Sequence, residues 1–326
     1  MVIWLQFIAS AFLIVVSGTV LVRYADMLGD RFHLSKAWLG IIVLGLATSL
    51  PEAAASISAI LSVGSADMAV GNMLGSNNIN LMIVVVLDLL YRRGSITDAI
   101  RTRRSHMLSA LCAILLTVVV LGEITIGAPA VGHVSAGTVL LLIMYTFCIR
   151  MLSRVRNADT DEPVARPAPA TAQRIYIGLA VSVVLVFAGA QWLVTVADTI
   201  ARSTGLGQTF IGSIFLAFIT SLPEITVAVA ALRLGSLDMA FGNIFGSNMV
   251  NIFIIAICAL CYTAAPILSV VSHTHMVTAA LGIVLTGIVI LGVRHQKKKQ
   301  FFGLGWDTIA MTVCFAGGVG LLYQLR

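Results

Sequence analysis

Ten stretches of about 20 predominantly apolar residues run through the chain, near 3–22, 37–62, 68–91, 105–125, 134–151, 175–197, 209–232, 239–262, 275–293 and 306–325. Each is long enough to cross a hydrocarbon core of ~30 Å as a helix. In lipid, only helices and closed barrels satisfy every backbone polar group. The expected fold class is an all-α polytopic membrane protein with ten transmembrane helices. Composition agrees, since 10% of the 326 residues are charged and 59% hydrophobic, against roughly 25% charged in a soluble domain. That balance excludes an ordinary cytoplasmic enzyme, a disordered or collagen-like chain and a basic nucleic-acid-binding domain. The first stretch lacks a basic leader and a small-residue cleavage site, so it is expected as a retained helix. The cysteines Cys112, Cys148, Cys258, Cys261 and Cys314 lie in apolar stretches without ligand spacing and read as small buried hydrophobes.

One hydrophilic stretch interrupts this pattern. Residues 154–174 contain Pro163, Pro167 and Pro169 among Asp159, Asp161 and Glu162, a composition that cannot bury enough apolar area to fold. It reads as a linker between two five-helix units, residues 1–153 and 175–326. Eighteen of the 20 basic residues fall in the loops on the linker's side, among them Arg23, Lys36, Arg92, Arg93, Arg103 and Lys297, leaving Arg202 and Arg326 opposite. The positive-inside rule then predicts a cytoplasmic linker and both termini outside, in a cell inner (plasma) membrane. An odd number of spans per unit makes the two units enter the membrane from opposite sides.

The units are copies of one another. Thr48-Ser-Leu-Pro-Glu52 recurs as Thr220-Ser-Leu-Pro-Glu224, and Gly71-Asn-Met-Leu-Gly-Ser-Asn-Asn-Ile-Asn80 as Gly242-Asn-Ile-Phe-Gly-Ser-Asn-Met-Val-Asn251. The turns between them match as well, Gly64-Ser-Ala-Asp-Met-Ala69 against Gly235-Ser-Leu-Asp-Met-Ala240. The chain is therefore expected to fold as two inverted-topology five-helix repeats. That is a common build of secondary transporters, which bind their cargo near the midplane where broken helices meet.

Glu52 and Glu224 each stand near the middle of a span, with no Lys or Arg at comparable depth. A charge there costs at least ~2.5–3.5 kcal/mol on insertion scales, so intramembrane acids are functional by default. Pro51 and Pro223 lack an N–H and free the carbonyls of Ala47 and Ile219. A lone membrane proline is often only a packing kink. The duplication beside a buried Glu favours an unwound, ion-facing break. Asn72, Ser76 and Asn80 share one helix face at i, i+4 and i+8, as do Asn243, Ser247 and Asn251. Interhelical hydrogen bonds account for part of such stripes. Gly71-x-x-x-Gly75 and Gly242-x-x-x-Gly246 would bring the stripes close to the broken helices. A midplane of two carboxylates, hydroxyls, amide oxygens and freed carbonyls, without sulfur or imidazole, suits Ca²⁺ or Na⁺ rather than zinc or copper. Two carboxylates balance one Ca²⁺ or two Na⁺.

These paired motifs resemble the two repeats of the sodium/calcium exchanger family. The resemblance implies an antiporter, not an enzyme, with Ca²⁺ and Na⁺ as transported ions, no cofactor, and the lipid bilayer but no obligatory protein as partner. It further implies a metal site in which Glu52 and Glu224 are shared by both ions. Thr48, Ser49, Thr220 and Ser221 would then supply hydroxyl or carbonyl ligands, and Ser76 and Ser247 would bind sodium. Asn80 and Asn251 would line the centre, the backbone oxygens of Gly45 and Ala217 would add to the sodium sites, and the first and sixth helices would slide as a gate. Two positions depart from the family's pattern, where glycine usually stands at Ala47 and Ile219. Ile219 is β-branched and stiff and would make the second break less flexible. Asn251 stands where potassium-dependent members tend to carry Asp, so no potassium co-transport is expected.

The runner-up is calcium/proton antiport, with the two Glu as proton carriers. A channel is disfavoured because repeats pinch both ends of a midplane site. An intramembrane protease is disfavoured because no Ser has a buried base. His273 and His275, at a helix entrance, read as isolated loop histidines.

Overall fold

Among the described residues, each of the ten apolar stretches lies in a helix. The computed structural model describes residues 2–31, 45–91, 96–100, 103–156, 171–295, 300–301 and 304–325. The helices are α1 (Val2–Arg31), α2 (Gly45–Val63), α3 (Ala66–Tyr91), α4 (Arg103–Ile126) and α5 (Ala136–Arg156) in the first half. In the second half they are α6 (Ala172–Thr204), α7 (Gln208–Thr220 and Leu222–Arg233), α8 (Leu237–Cys261), α9 (His275–Arg294) and α10 (Trp306–Gln324). Among the described residues nine helices are long and apolar enough to cross a membrane, and α7, bent by 41° at its break, is a tenth. The start of the second predicted span (37–44), most of the linker, and Lys36, Arg92, Arg93, Arg101, Arg166, Lys297, Lys298, Lys299 and Arg326 lie outside the described residues.

Two helices outrun their predicted spans. α1 continues to Arg31, and no Pro interrupts it along that length. α6 has 33 residues, about 50 Å at 1.5 Å per residue, and stops where Gly205 turns left-handed at φ 69°. These two first helices of the halves lie along each other. Gly189 of α6 meets Leu13 and Ile14 of α1, and Gly18 of α1 faces both Pro51 and Pro223. Their outer faces, with Leu5, Ile8 and Phe12 on α1 and Ile177, Val181 and Val184 on α6, are exposed as lipid requires.

Inside this pair, α2, α3, α7 and α8 form the core, and contacts in one half are mirrored in the other. α3 packs on the start of α7 while α8 packs on the start of α2, and α4 pairs with both α8 and α9. The glycines permit the close approach. A Cβ on Gly75 would lie 2.2 Å from the Ser213 carbonyl oxygen, and one on Gly45 would lie 3.2 Å from the Ser247 nitrogen. The fold is the all-α one of inverted repeats.

The repeats differ by one residue, and the structure shows where. The Thr-Ser-Leu-Pro-Glu motifs are 172 positions apart, while the Gly-Asn motifs are 171 apart. The extra residue of the first half is taken up in a π-helical turn, Ala59–Val63, ending at left-handed Gly64 (φ 71°), whereas α7 reaches Arg233 as plain α-helix. An i→i+5 turn is how a helix absorbs one inserted residue. A second π-helical segment, Ile211–Leu216, leads into the break of α7.

The duplicated turns carry duplicated Asp–His contacts. Asp67, at the start of α3, accepts from His275 Nε2 at 3.1 Å and from the Ser272 backbone at 2.7 Å. Asp238, its counterpart at the start of α8, lies 3.1 Å from His106 Nε2. Each pair joins the third helix of one half to the fourth helix of the other. His275 is thus a fully buried structural residue, which corrects its reading as an isolated loop histidine; the loop position of His273 stands. Asp67→Ala leaves the His275 ring and the Ser272 N–H without their acceptor. The expected loss is about 1–3 kcal/mol, read as a lowered unfolding midpoint of the detergent-solubilised protein.

Candidate cation site

Both breaks have one geometry. Ser49 (φ −78°, ψ 2°) and Ser221 (φ −83°, ψ 3°) leave the helical region for a single residue, and proline restarts the helix in its first turn. The Ser49 N–H still reaches Gly45 O at 3.2 Å and the Ser221 N–H reaches Ala217 O at 3.1 Å. The expected unwound stretch is therefore a one-residue dislocation, because only one hydrogen bond is lost to each proline. Ile219 does not prevent the bend, which is 41° on its side. Glu52 and Glu224 fall in the first turn of the restarted helices, where free N–H groups favour negative charge.

All predicted side-chain ligands (Thr48, Ser49, Glu52, Ser76, Asn80, Thr220, Ser221, Glu224, Ser247 and Asn251) are fully buried. Two clusters mirror each other across the repeats. In the first, Thr48 and Ser247 hydroxyls hydrogen-bond at 3.0 Å, Ser247 donates to Gly45 O at 3.4 Å, and Thr48 donates to Asn243 Oδ1 at 3.3 Å. In the second, Ser76 and Thr220 hydroxyls lie 3.5 Å apart, Ser76 reaches Ala217 O at 3.5 Å, and Thr220 donates to Asn72 Oδ1 at 3.2 Å. Gly45 and Ala217, paired in the sequence by the repeat, thus present their carbonyls to equivalent hydroxyls. Ser221 donates to Glu52 Oε1 at 3.1 Å. The mirrored bond is absent, since Ser49 Oγ and both oxygens of Glu224 have no hydrogen-bond partner.

Six buried oxygens of these residues lack a partner among the described residues: Ser49 Oγ, Glu52 Oε2, Asn80 Oδ1, both of Glu224, and Asn251 Oδ1. An unsatisfied buried polar group costs about 1–3 kcal/mol, more if charged, so such a concentration marks a candidate site for another species. Five of the six can only accept, which fits hard cations as cargo. Asn243 Nδ2 is also unpartnered. Its counterpart Asn72 Nδ2 donates to Glu52 O at 3.1 Å and Ser56 Oγ at 3.0 Å, but Ala228 stands where Ser56 does in the other half.

Four asparagines in the middle of α3 and α8 bond to one another. Asn80 and Asn251 are on the predicted stripes, but their partners Asn77 and Asn248 lie off them. Asn80 Nδ2 donates to Asn248 Oδ1 at 3.1 Å, and Asn251 Nδ2 donates to Asn77 Oδ1 at 3.0 Å. The available sequence signal was the Gly-Ser-Asn triplet, present twice.

The sodium/calcium exchanger protein family model matches residues 2–154 and 174–320. The sodium/calcium exchanger MaX1 of Methanosarcina acetivorans is 26% identical over 338 residues, covering 93% of each chain. Among solved structures, the sodium-calcium exchanger NCX_Mj superposes with a TM-score of 0.63 at 21% identity, over 98% of both chains. The H+/Ca2+ exchanger CAX superposes with a TM-score of 0.74 at 13% identity, over 99% of this chain and 85% of that one. Both structural likenesses concern the fold. With nearly the whole length matched by one family model, on both sides of the linker, this multi-pass membrane protein belongs to the sodium/calcium exchanger family.

Proposed function

We propose that the protein is a secondary antiporter that exchanges Na⁺ for Ca²⁺ by alternating access at the buried midplane site. The observation that carries this reading is the pair of carboxylates with unpartnered oxygens between two mirrored hydroxyl–carbonyl clusters. Ca²⁺ takes six to eight oxygens at 2.3–2.6 Å with carboxylates among them, so Glu52 and Glu224 would hold it with the amide oxygens nearby. Thr48, Ser247 and Gly45 O would form one sodium subsite, and Thr220, Ser76 and Ala217 O the other. Ser49 and Ser221 would complete the shell of the opposite repeat's Glu. Two sodium ions replace the charge of one calcium. Either load then lowers the cost of moving the site past the low-dielectric barrier. α1 and α6, with exposed outer faces and glycine contacts at Gly18 and Gly189, would slide as the gate. The 1–153 and 175–326 units move against each other in this account, in an inner membrane with both termini outside.

The coupling ion is decided by transport. Purified protein in sodium-loaded liposomes is expected to take up radiolabelled calcium when diluted into sodium-free medium, and a proton gradient alone is expected to drive none. Uptake driven only by protons would assign the carboxylates as proton carriers and make this a Ca²⁺/H⁺ antiporter, the activity named for the structural neighbour CAX.

A further inference from the structure

Asn77 and Asn248 face each other across the contact of α3 and α8, nearly buried, outside the set of cation-facing oxygens. Each donates Nδ2 to the other's backbone carbonyl, at 3.3 Å in both directions. A carbonyl oxygen can only accept, so both amides are fixed with nitrogen towards the opposite helix and oxygen left over. Those oxygens are taken by the other helix's second asparagine. Asn77 Oδ1 accepts from Asn251 Nδ2 at 3.0 Å, and Asn248 Oδ1 accepts from Asn80 Nδ2 at 3.1 Å. With their nitrogens so engaged, Asn80 and Asn251 must turn Oδ1 the other way, and these are the atoms left without partners.

We infer that Asn77 and Asn248 are positioning residues that lock the Asn251 and Asn80 amides with oxygen towards the cation. The inference rests on the reading of the site as a cation site and adds the device that sets its polarity. A free amide can rotate by half a turn at small steric cost and present Nδ2, a donor that repels a cation. Here rotation of Asn251 would break its bond to Asn77 Oδ1 and set oxygen against oxygen. Each repeat thus orients a ligand of the other, so the site is complete only when both halves are docked.

Calcium titration calorimetry on the full-length protein tests this. Asn77→Ala is expected to weaken calcium binding about tenfold, and by less than about twofold in an Asn251→Ala background, because the residue it orients is gone. In an Asn80→Ala background the tenfold loss should persist. The mirrored pair, Asn248→Ala with Asn80→Ala, should behave in the same way. Equal losses in both backgrounds would overturn the inference, since a merely structural residue does not distinguish them. Wild-type protein that binds no calcium would sink the cation reading itself. A wild type that binds calcium as tightly as Asn77→Ala would sink only the positioning role. Should the alanine variants fail to fold, the side-chain amide protons of isotope-labelled asparagine in the wild type decide the matter without any cation. Slow exchange at Asn80 and Asn251 Nδ2 supports the lock, and free exchange there refutes it.

Discussion

Glu52→Gln and Glu224→Gln are each expected to reduce calcium uptake by at least about 100-fold while the protein still inserts and elutes as a single species. The substitution is nearly isosteric. At Glu52 the amide oxygen can still accept from Ser221, which now donates at 3.1 Å, so packing is little disturbed. The negative charge and one acceptor are lost instead. A 100-fold loss corresponds to about 2.7 kcal/mol, small beside the attraction between a divalent cation and a carboxylate in a buried site. Both residues are fully buried in equivalent first turns, so the two variants should fail alike. Retained transport in either one would remove that residue from the site.

Gly75→Ala is the second large effect, and it arises from packing. The added Cβ would lie 2.2 Å from Ser213 O, 2.7 Å from Ser213 C and 2.8 Å from Ala217 Cβ. Two of these are backbone atoms of the segment leading into the break of α7, and no rotamer change can move them aside. Overpacking of a core usually costs about 1–3 kcal/mol, and a backbone clash this close falls at or beyond the upper end. Ser76 Oγ and Ala217 O, now 3.5 Å apart, would separate as the helices are forced open. The expected result is a sharply reduced yield of folded protein, with weakened sodium affinity in whatever folds. Gly122→Ala is the control. No atom lies within 4 Å of its added Cβ, and alanine is the better helix former by about 1 kcal/mol, so stability should hold or rise. An unfolding midpoint for Gly75→Ala equal to wild type would mean the helices are less closely packed than described.

These two results also mark where the sequence was readable. Hydropathy alone located the spans, because lipid leaves a backbone few alternatives. Glu52 and Glu224 stood out because charge is scarce in the spans and the motif around them is duplicated. The stripe containing Ser76 and Asn80 followed from helical spacing. Asn77 and Asn248 did not, for they lie off that face and their role depends on how two helices dock. The pairing of His275 with Asp67 joins residues 208 positions apart, which no local pattern encodes. The π-turn at Ala59–Val63 left a trace in the one-residue change of repeat offset, yet an offset does not reveal where the residue is absorbed. The size of the helix breaks was likewise invisible, since proline reports one missing hydrogen bond and says nothing of the residues around it.

Sodium and calcium are expected to occupy one set of oxygens and to exclude each other. Calcium titrations of the purified protein at fixed pH and rising sodium test this most directly. The apparent calcium Kd is expected to climb with sodium at a log–log slope above one, since more than one sodium must leave for each calcium bound. A calcium Kd that ignores sodium and shifts only with pH would contradict it.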